Sequence, residues 1–206
     1  MRAIQHKKPL IGLVGGIGSG KSQVGAVLAR HGGHLISADR LGHESLEQPA
    51  IREAVKKRWG EKVFSENGEV DRKKLGRIVF GSPVERTNLE YLVFPYIEER
   101  VHEEVARAEA DPQIRFILLD AAIMLEVGWN NVCTWTVYVH TPRAIRIQRL
   151  EQSRGWTGDE LAHRELAQWP LCVKAMRADV AIHNDSTLEQ LEAQVLKLVN
   201  LWKLAA

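Results

Sequence analysis

A chain of 206 residues with 45% hydrophobic content carries enough apolar side chains for one or two compact units, and its 28 lysines and arginines against 26 acidic residues leave a net charge of only +2. That balance argues against wrapping a polyanion such as nucleic acid, so any anion binding is local. Cys133 and Cys172 lack a CxxC partner and read as reduced, buried thiols; Met1 to Pro9 is polar and basic, and no apolar stretch approaches the about 18 residues of a membrane span, which predicts a soluble cytoplasmic protein.

In chain order, the apolar run at residues 10–14 is too continuous for a strand with one wet face and predicts one buried on both sides. A helical pattern follows at 21–31, then a second strand at 34–37. The alternation then breaks. Residues 50–59, ending before Gly60, and 71–80, ending before Gly81, read as helices. Ser82-Pro83-Val84-Glu85 opens a third, with a cap hydroxyl, a proline at the first helical position and a glutamate three residues after the cap. Pro95 is expected to kink or interrupt it. Strands at 116–119, 136–139 and 180–183 then alternate with helices at 143–153, 157–168 and 188–202. The pattern predicts one α/β domain over residues 1–206, a three-layer sandwich with a five-stranded parallel sheet. A helical subdomain over residues 41–111 is inserted between the second and third strands, where it would cover a second substrate. A lid is expected over about 143–177.

Between the first strand and the first helix lies Gly15-Gly16-Ile17-Gly18-Ser19-Gly20-Lys21-Ser22, which fits GxxxxGK[ST] in the context that motif requires. Glycines let the backbone turn tightly and aim N–H groups inward, and the helix that follows presents the positive end of its dipole. The fold is therefore expected to be a P-loop NTPase. Gly16, Ile17, Gly18, Ser19, Gly20, Lys21 and Ser22 are assigned to the triphosphate of ATP, with Lys21 neutralising charge between the β- and γ-phosphates and the Ser22 hydroxyl ligating Mg2+. No Asn-Lys-x-Asp segment follows a later strand, as a GTPase would want, and a small chain with a helical insertion favours transfer to a small acceptor.

Open parallel sheets place their chemistry at the carboxyl ends of strands, where Asp39 follows the second strand and Asp120 the third. Asp39 is assigned as the base that meets the acceptor hydroxyl, with a helix cap for residues 40–44 as the competing role. Asp120 is assigned to magnesium, directly or through water, against a turn or cap role. Arg143, Arg146, Arg149, Arg154 and Arg164 concentrate after the fourth strand, and the spacing of the first three puts them near one helix face. As a group they read as a lid that brings positive charge over the phosphates; singly, each reads as part of a solvated basic face. Arg72, Lys73, Lys74 and Arg77 stand under the same two readings, acceptor-phosphate contacts or a solvated face. Eight histidines show no HExxH or similar ligand spacing and read as core or surface residues. The six tryptophans read as core or lid packing, with one able to stack on an adenine.

These residues resemble the dephospho-coenzyme A kinases, which phosphorylate the ribose 3′-hydroxyl of dephospho-coenzyme A in the last step of coenzyme A synthesis. The likeness runs over nearly the whole chain. It includes Gly12-Leu13-Val14 with the loop from Gly15 to Ser22, and Asp39 at the last position of the family's Asp-Ala-Asp. Asp71-Arg72-Lys73-Lys74-Leu75 with Ile78-Val79-Phe80 is similar to its Asp-Arg-xx-Leu…Phe helix, and residues 89–97 to its Leu-Glu-x-x-x-His-Pro-x-Ile segment. Residues 120–126 resemble Asp-x-Pro-Leu-Leu-x-Glu, and Gln168, Ala178-Asp179 and Asn184 resemble the closing Gln…Ala-Asp…Asn pattern. Ser37 replaces the first Asp of Asp-Ala-Asp, Phe94 the histidine before Pro95, and Ala122-Ile123-Met124 the Pro-Leu-Leu, while Ser153-Arg154 stands where the family usually has Arg-Asp.

Together, motif and resemblance imply ATP and Mg2+ as cofactors, with ATP and dephospho-coenzyme A as small-molecule partners. Asp39, Lys21, Arg149 and Arg154 are expected to be catalytic, and Asn184 to join the loop residues in nucleotide binding. Arg72, Lys73, Lys74, Arg77 and Asp120 are expected at the acceptor, with Ser22 and Asp120 as the metal pair. Neither nucleic acid nor membrane is an expected partner, and a monomer or small homo-oligomer is expected. The alternatives are a kinase of another small nucleoside or nucleotide, and a catalytically weak nucleotide-binding regulatory protein.

Overall fold

A computed structural model describes residue 4 and residues 6–204, so part of the polar amino-terminal stretch, residues 1–3 and 5, lies outside the described residues. The strands β1 (Leu10–Gly15), β2 (Gly33–Ser37), β3 (Phe116–Asp120), β4 (Trp135–His140) and β5 (Val180–His183) form a single parallel sheet in the order β2-β3-β1-β4-β5. Leu10 pairs with Ile117 on one side of β1, and Ile11 with Trp135 on the other. Every residue of β1 and β3 is buried, which is why both are apolar without alternation. At the edge, β5 buries Ile182 and leaves Ala181 and His183 exposed.

The helices are α1 (Lys21–Arg30), α2 (Ala38–Ser45), α3 (Pro49–Trp59), α4 (Arg72–Gly81), α5 (Pro83–Ala110), α6 (Arg143–Arg154), α7 (Gly158–Glu165), α8 (Leu171–Met176) and α9 (Leu188–Leu201). Val24, Val27 and Leu28 of α1 and Leu191, Val195, Leu198 and Val199 of α9 close over Ile11, Leu13, Val137, Val139 and Ile182. Each such burial is worth about 1.5–3 kcal/mol, so this layer supplies much of the sheet's stability. Thr157 caps α7 through the Glu160 N–H at 3.3 Å, and Thr187 caps α9 through the Gln190 N–H at 3.4 Å.

The chain divides into two compact units, residues 1–37 with 103–206, and Ala38–His102. Residues 103–111, read above as part of the insertion, therefore belong to the sheet unit. Glu109 accepts the backbone N–H groups of Lys7 and Lys8 at 2.9 and 2.8 Å, and His34 meets Glu104 at 3.0 Å. The second unit has its own core of Val55, Trp59, Val63, Phe64, Leu75 and Val79. In it, Glu85 of α5 accepts from the Trp59 indole at 2.7 Å and from two nitrogens of Arg58 at 2.9 and 3.0 Å, tying α3 to α5.

Three expectations are corrected. Of the two outcomes expected at Pro95, interruption does not occur: the residue lies inside α5, which runs unbroken through it, with one backbone bond forfeited and buried Val93 and Ile97 on either side. The helix expected over 157–168 ends at Glu165, with Leu166 as its cap, and Pro170 bars its extension through Trp169. Cys172 is exposed, while Cys133 is partly buried. Among the described residues, no helix is long and apolar enough to cross a membrane.

Candidate active site

The glycine-rich segment leaves the buried β1 and turns back on itself, with the Ser19 N–H bonded to the Gly16 carbonyl at 3.1 Å. Gly20 precedes α1 at φ 81°, where an added Cβ would stand 2.2 Å from Nδ2 of Asn184. Glycine is required there on both counts. No side chain caps α1, and the positive end of its dipole stands at the loop. Lys21 Nζ lies 3.3 Å from the carbonyls of both Gly15 and Gly16, curled over the loop backbone. Ser19 is 1% exposed, and its Oγ has no hydrogen-bond partner among the described residues. A buried unmet hydroxyl within a cationic turn fits a phosphate ligand.

Next to it, the Ser22 hydroxyl donates to Oδ2 of Asp120 at 3.0 Å, and Asp120 is 7% exposed. Asp120 ends β3, in register with Ser37 at the end of β2. A hydroxyl and a carboxylate converging on one point are hard oxygen donors, the chemistry that Mg2+ selects. The residues present fit that ion.

The loop is held from behind. The Ser19 carbonyl accepts from Asn184 Nδ2 at 2.9 Å, from Thr141 Oγ1 at 2.9 Å and from Arg149 at 3.4 Å. Arg146, 3% exposed, reaches the Ile17 carbonyl at 3.2 Å, the Thr141 carbonyl at 3.3 Å and the Glu165 carboxylate at 2.5 Å. A cavity of about 290 Å3 opens between Gly16 and Arg143, Arg146, Glu165, Gln168 and Trp169. Lys174, 1% exposed, bridges Glu126 at 2.8 Å, the Gln168 side chain at 3.0 Å and the Ala122 carbonyl at 3.1 Å. Glu126 also accepts the Trp169 N–H at 2.8 Å, so the segment after β3 is joined to the one before α8.

The sequence profile of the dephospho-CoA kinase family matches residues 9–190. The chain belongs to that family. It is 33% identical over 199 residues to the dephospho-CoA kinase of Carboxydothermus hydrogenoformans, covering 95% of each chain. With the dephospho-CoA kinase of Geobacillus kaustophilus it shares 34% over 194 residues, 93% of this chain and 96% of the relative. A crystal structure from Thermus thermophilus superposes with a TM-score of 0.83 at 33% identity, over 98% of this chain and all of the other.

Against that family background the expected site residues separate into groups. The structure brings Gly16 to Ser22, Asp120, Arg146, Arg149 and Asn184 together at the carboxyl edge of the sheet. Arg143, Arg146 and Arg149 share a face of α6 yet make different contacts. Arg143 is exposed and bonds the Gly158 carbonyl at 3.2 Å, while Arg146 and Arg149 hold loop carbonyls. Arg154 lies exposed near Trp156, its guanidinium 4.9 Å from the ring centroid, and Arg164 stacks on the same ring at 3.9 Å. Asp39 is exposed in the first turn of α2, within the second unit. On α4, Arg72, Lys73 and Arg77 are exposed. Lys74 Nζ bonds the Phe64 carbonyl at 3.0 Å, and Asp71 caps the helix through the Lys73 and Lys74 N–H groups at 2.9 and 3.1 Å.

Sequence reasoning missed Thr141 and Lys174 altogether. Thr141 sits one residue past β4, 4% exposed, and nothing in its spacing shows that it faces the loop. A lysine on a short helix reads as a surface residue until its carboxylate partner is placed.

Proposed function

We propose that this chain transfers the γ-phosphoryl group of ATP to the ribose 3′-hydroxyl of dephospho-coenzyme A, giving coenzyme A and ADP. The observation that carries the reading is the 3.0 Å pairing of Ser22 with the buried Asp120 carboxylate at the end of a loop crossed by Lys21, in a chain of the dephospho-CoA kinase family. The loop N–H groups and the Lys21 ammonium hold the triphosphate and offset the charge that develops on the transferring group. Ser22 and Asp120 would hold Mg2+, whose positive charge would offset that of the phosphates. Arg149 fixes the loop carbonyl behind Ser19, and Arg154 completes the charge of the lid. Asp39 takes the proton of the acceptor hydroxyl. The freed oxygen pair forms the new O–P bond, and the bond to the β-phosphate breaks with its electrons passing to ADP. Arg72, Lys73, Lys74 and Arg77 meet the acceptor's phosphates, and the protein works in the cytoplasm.

ADP formation measured over dephospho-coenzyme A, pantetheine, adenosine and nucleoside monophosphates tests this. Turnover that requires dephospho-coenzyme A is expected. ATP binding without acceptor-dependent ADP release would instead make the chain a nucleotide-binding regulatory protein.

A further inference from the structure

His140 ends β4 and His183 ends β5, and the two are register partners in the parallel ladder, so their side chains rise from the same face of the sheet. Their ring centroids are 4.9 Å apart, with planes 63° from parallel. Two residues past His183, the Asp185 carboxylate stands 4.0 Å from His183 Nδ1. A ring nitrogen of each histidine and an oxygen of Asp185 all lie within 4.8 Å of one another. We propose that His140, His183 and Asp185 form a site for a borderline transition-metal ion of the zinc class, distinct from the oxygen-lined Ser22 and Asp120 pair.

The donor set decides the class of ion. Two imidazoles and one carboxylate suit Zn2+, Co2+ or Ni2+, whereas Mg2+ prefers oxygen alone. Donors around a tetrahedral ion at about 2.0–2.1 Å stand about 3.3 Å from each other, so no gap here must close by more than about 1.5 Å. His183 and Asp185 are exposed, so a rotamer adjustment supplies that movement without shifting the sheet. The open face of β5 gives the ion a path from solvent and leaves room for a water at the fourth position. Spacing along the chain hides this site, because the ladder, not a helix turn, brings the two imidazoles together. Asn184 lies between two of the ligands and bonds Ser19 and Gln23, so an ion here bears on backbone that anchors the phosphate loop.

The untagged full-length chain is titrated with Co2+ in buffer containing excess Mg2+, followed by visible absorption, and then back-titrated with Zn2+. Expected are the intense bands of four-coordinate Co2+, saturating at one equivalent and removed by Zn2+. His183→Ala and Asp185→Asn should each weaken Zn2+ binding by about tenfold or more, the range seen even for outer-shell changes. Cys172→Ser controls for the exposed thiol and should change nothing. Equal Zn2+ affinity in the parent chain and in folded His183→Ala overturns the proposal. So does loss of the bands in Cys172→Ser.

Discussion

The Asn184 side chain donates to the Ser19 carbonyl at 2.9 Å, with Thr141 Oγ1 donating to the same oxygen at 2.9 Å, so the ends of β4 and β5 hold the phosphate loop from behind. Asn184 is 2% exposed, and its second amide bond goes to Gln23 at 3.2 Å. Asn184 thus shapes the loop through the loop's own backbone. Asn184→Ala leaves buried partners unmet and should cost about 1–3 kcal/mol. Asn184→Asp should cost more at neutral pH, since a carboxylate then faces a carbonyl with no proton to share. Thermal unfolding with and without ATP checks the order.

Lys21→Ala should lower turnover about a hundredfold or more while leaving the unfolding temperature nearly unchanged, because the ammonium stands over the loop rather than in the core. Steady-state rates beside a circular-dichroism melt decide it. Unaltered turnover in a folded variant would remove Lys21 from the phosphate site.

For Asp39→Asn the expected signature is a fall in kcat far larger than any change in ATP affinity, since the proposed partner of Asp39 is the acceptor hydroxyl. Weaker ATP binding with normal saturating turnover would move Asp39 to a metal or nucleotide role.

Neutralising Arg72, Lys73, Lys74 and Arg77 together should raise KM for dephospho-coenzyme A with little change in KM for ATP. Lys74 also bonds the Phe64 carbonyl, so replacing it alone should cost about 1 kcal/mol of stability. Replacing Arg72, Lys73 and Arg77 alone therefore isolates binding from folding, and equal shifts in both KM values would place the acceptor contacts elsewhere.

The two thiols should behave differently with pH. Burial, reinforced by the negative charge of Asp179, pushes the Cys133 thiol from its ordinary 9.0 up to about 12. At pH 8 only about one Cys133 in ten thousand is thiolate, so iodoacetamide should mark exposed Cys172 alone, as read by peptide mass. The raised value also makes stability fall as pH climbs from about 9 toward 12, because the unfolded chain ionises first. Cys133→Ala should flatten that part of the stability profile.

How far the sequence reaches depends on the range of the interaction. The strands were legible because residues such as those of β1 and β3 are buried on both faces and so cannot alternate. The loop was legible because its glycines and Lys21 are contiguous. Helical spacing put Arg143, Arg146 and Arg149 on one face, yet it could not show that only Arg146 is buried, since that depends on Glu165 in another helix. The roles of Thr141 and Asn184 are set by strand order, which places β4 and β5 beyond β1. Trp135 and Trp202 stack at 4.5 Å for the same kind of reason, one on β4 and one after α9.

The position of β1 in the sheet has a consequence for how the chain is made. Leu10 finds its partners only when Ile117 and Thr134 have been synthesised, because β3 and β4 flank β1 on either side. During translation the phosphate loop therefore leaves the ribosome attached to a strand that has nothing to pair with, an apolar segment waiting on residues more than a hundred positions downstream. The helical unit, Ala38–His102, is complete before those residues appear, and it carries its own apolar cluster. If that unit consolidates first, it shortens the effective span that β1 must bridge, and destabilising changes in α3 or α4 are then expected to lower the yield of nascent protein.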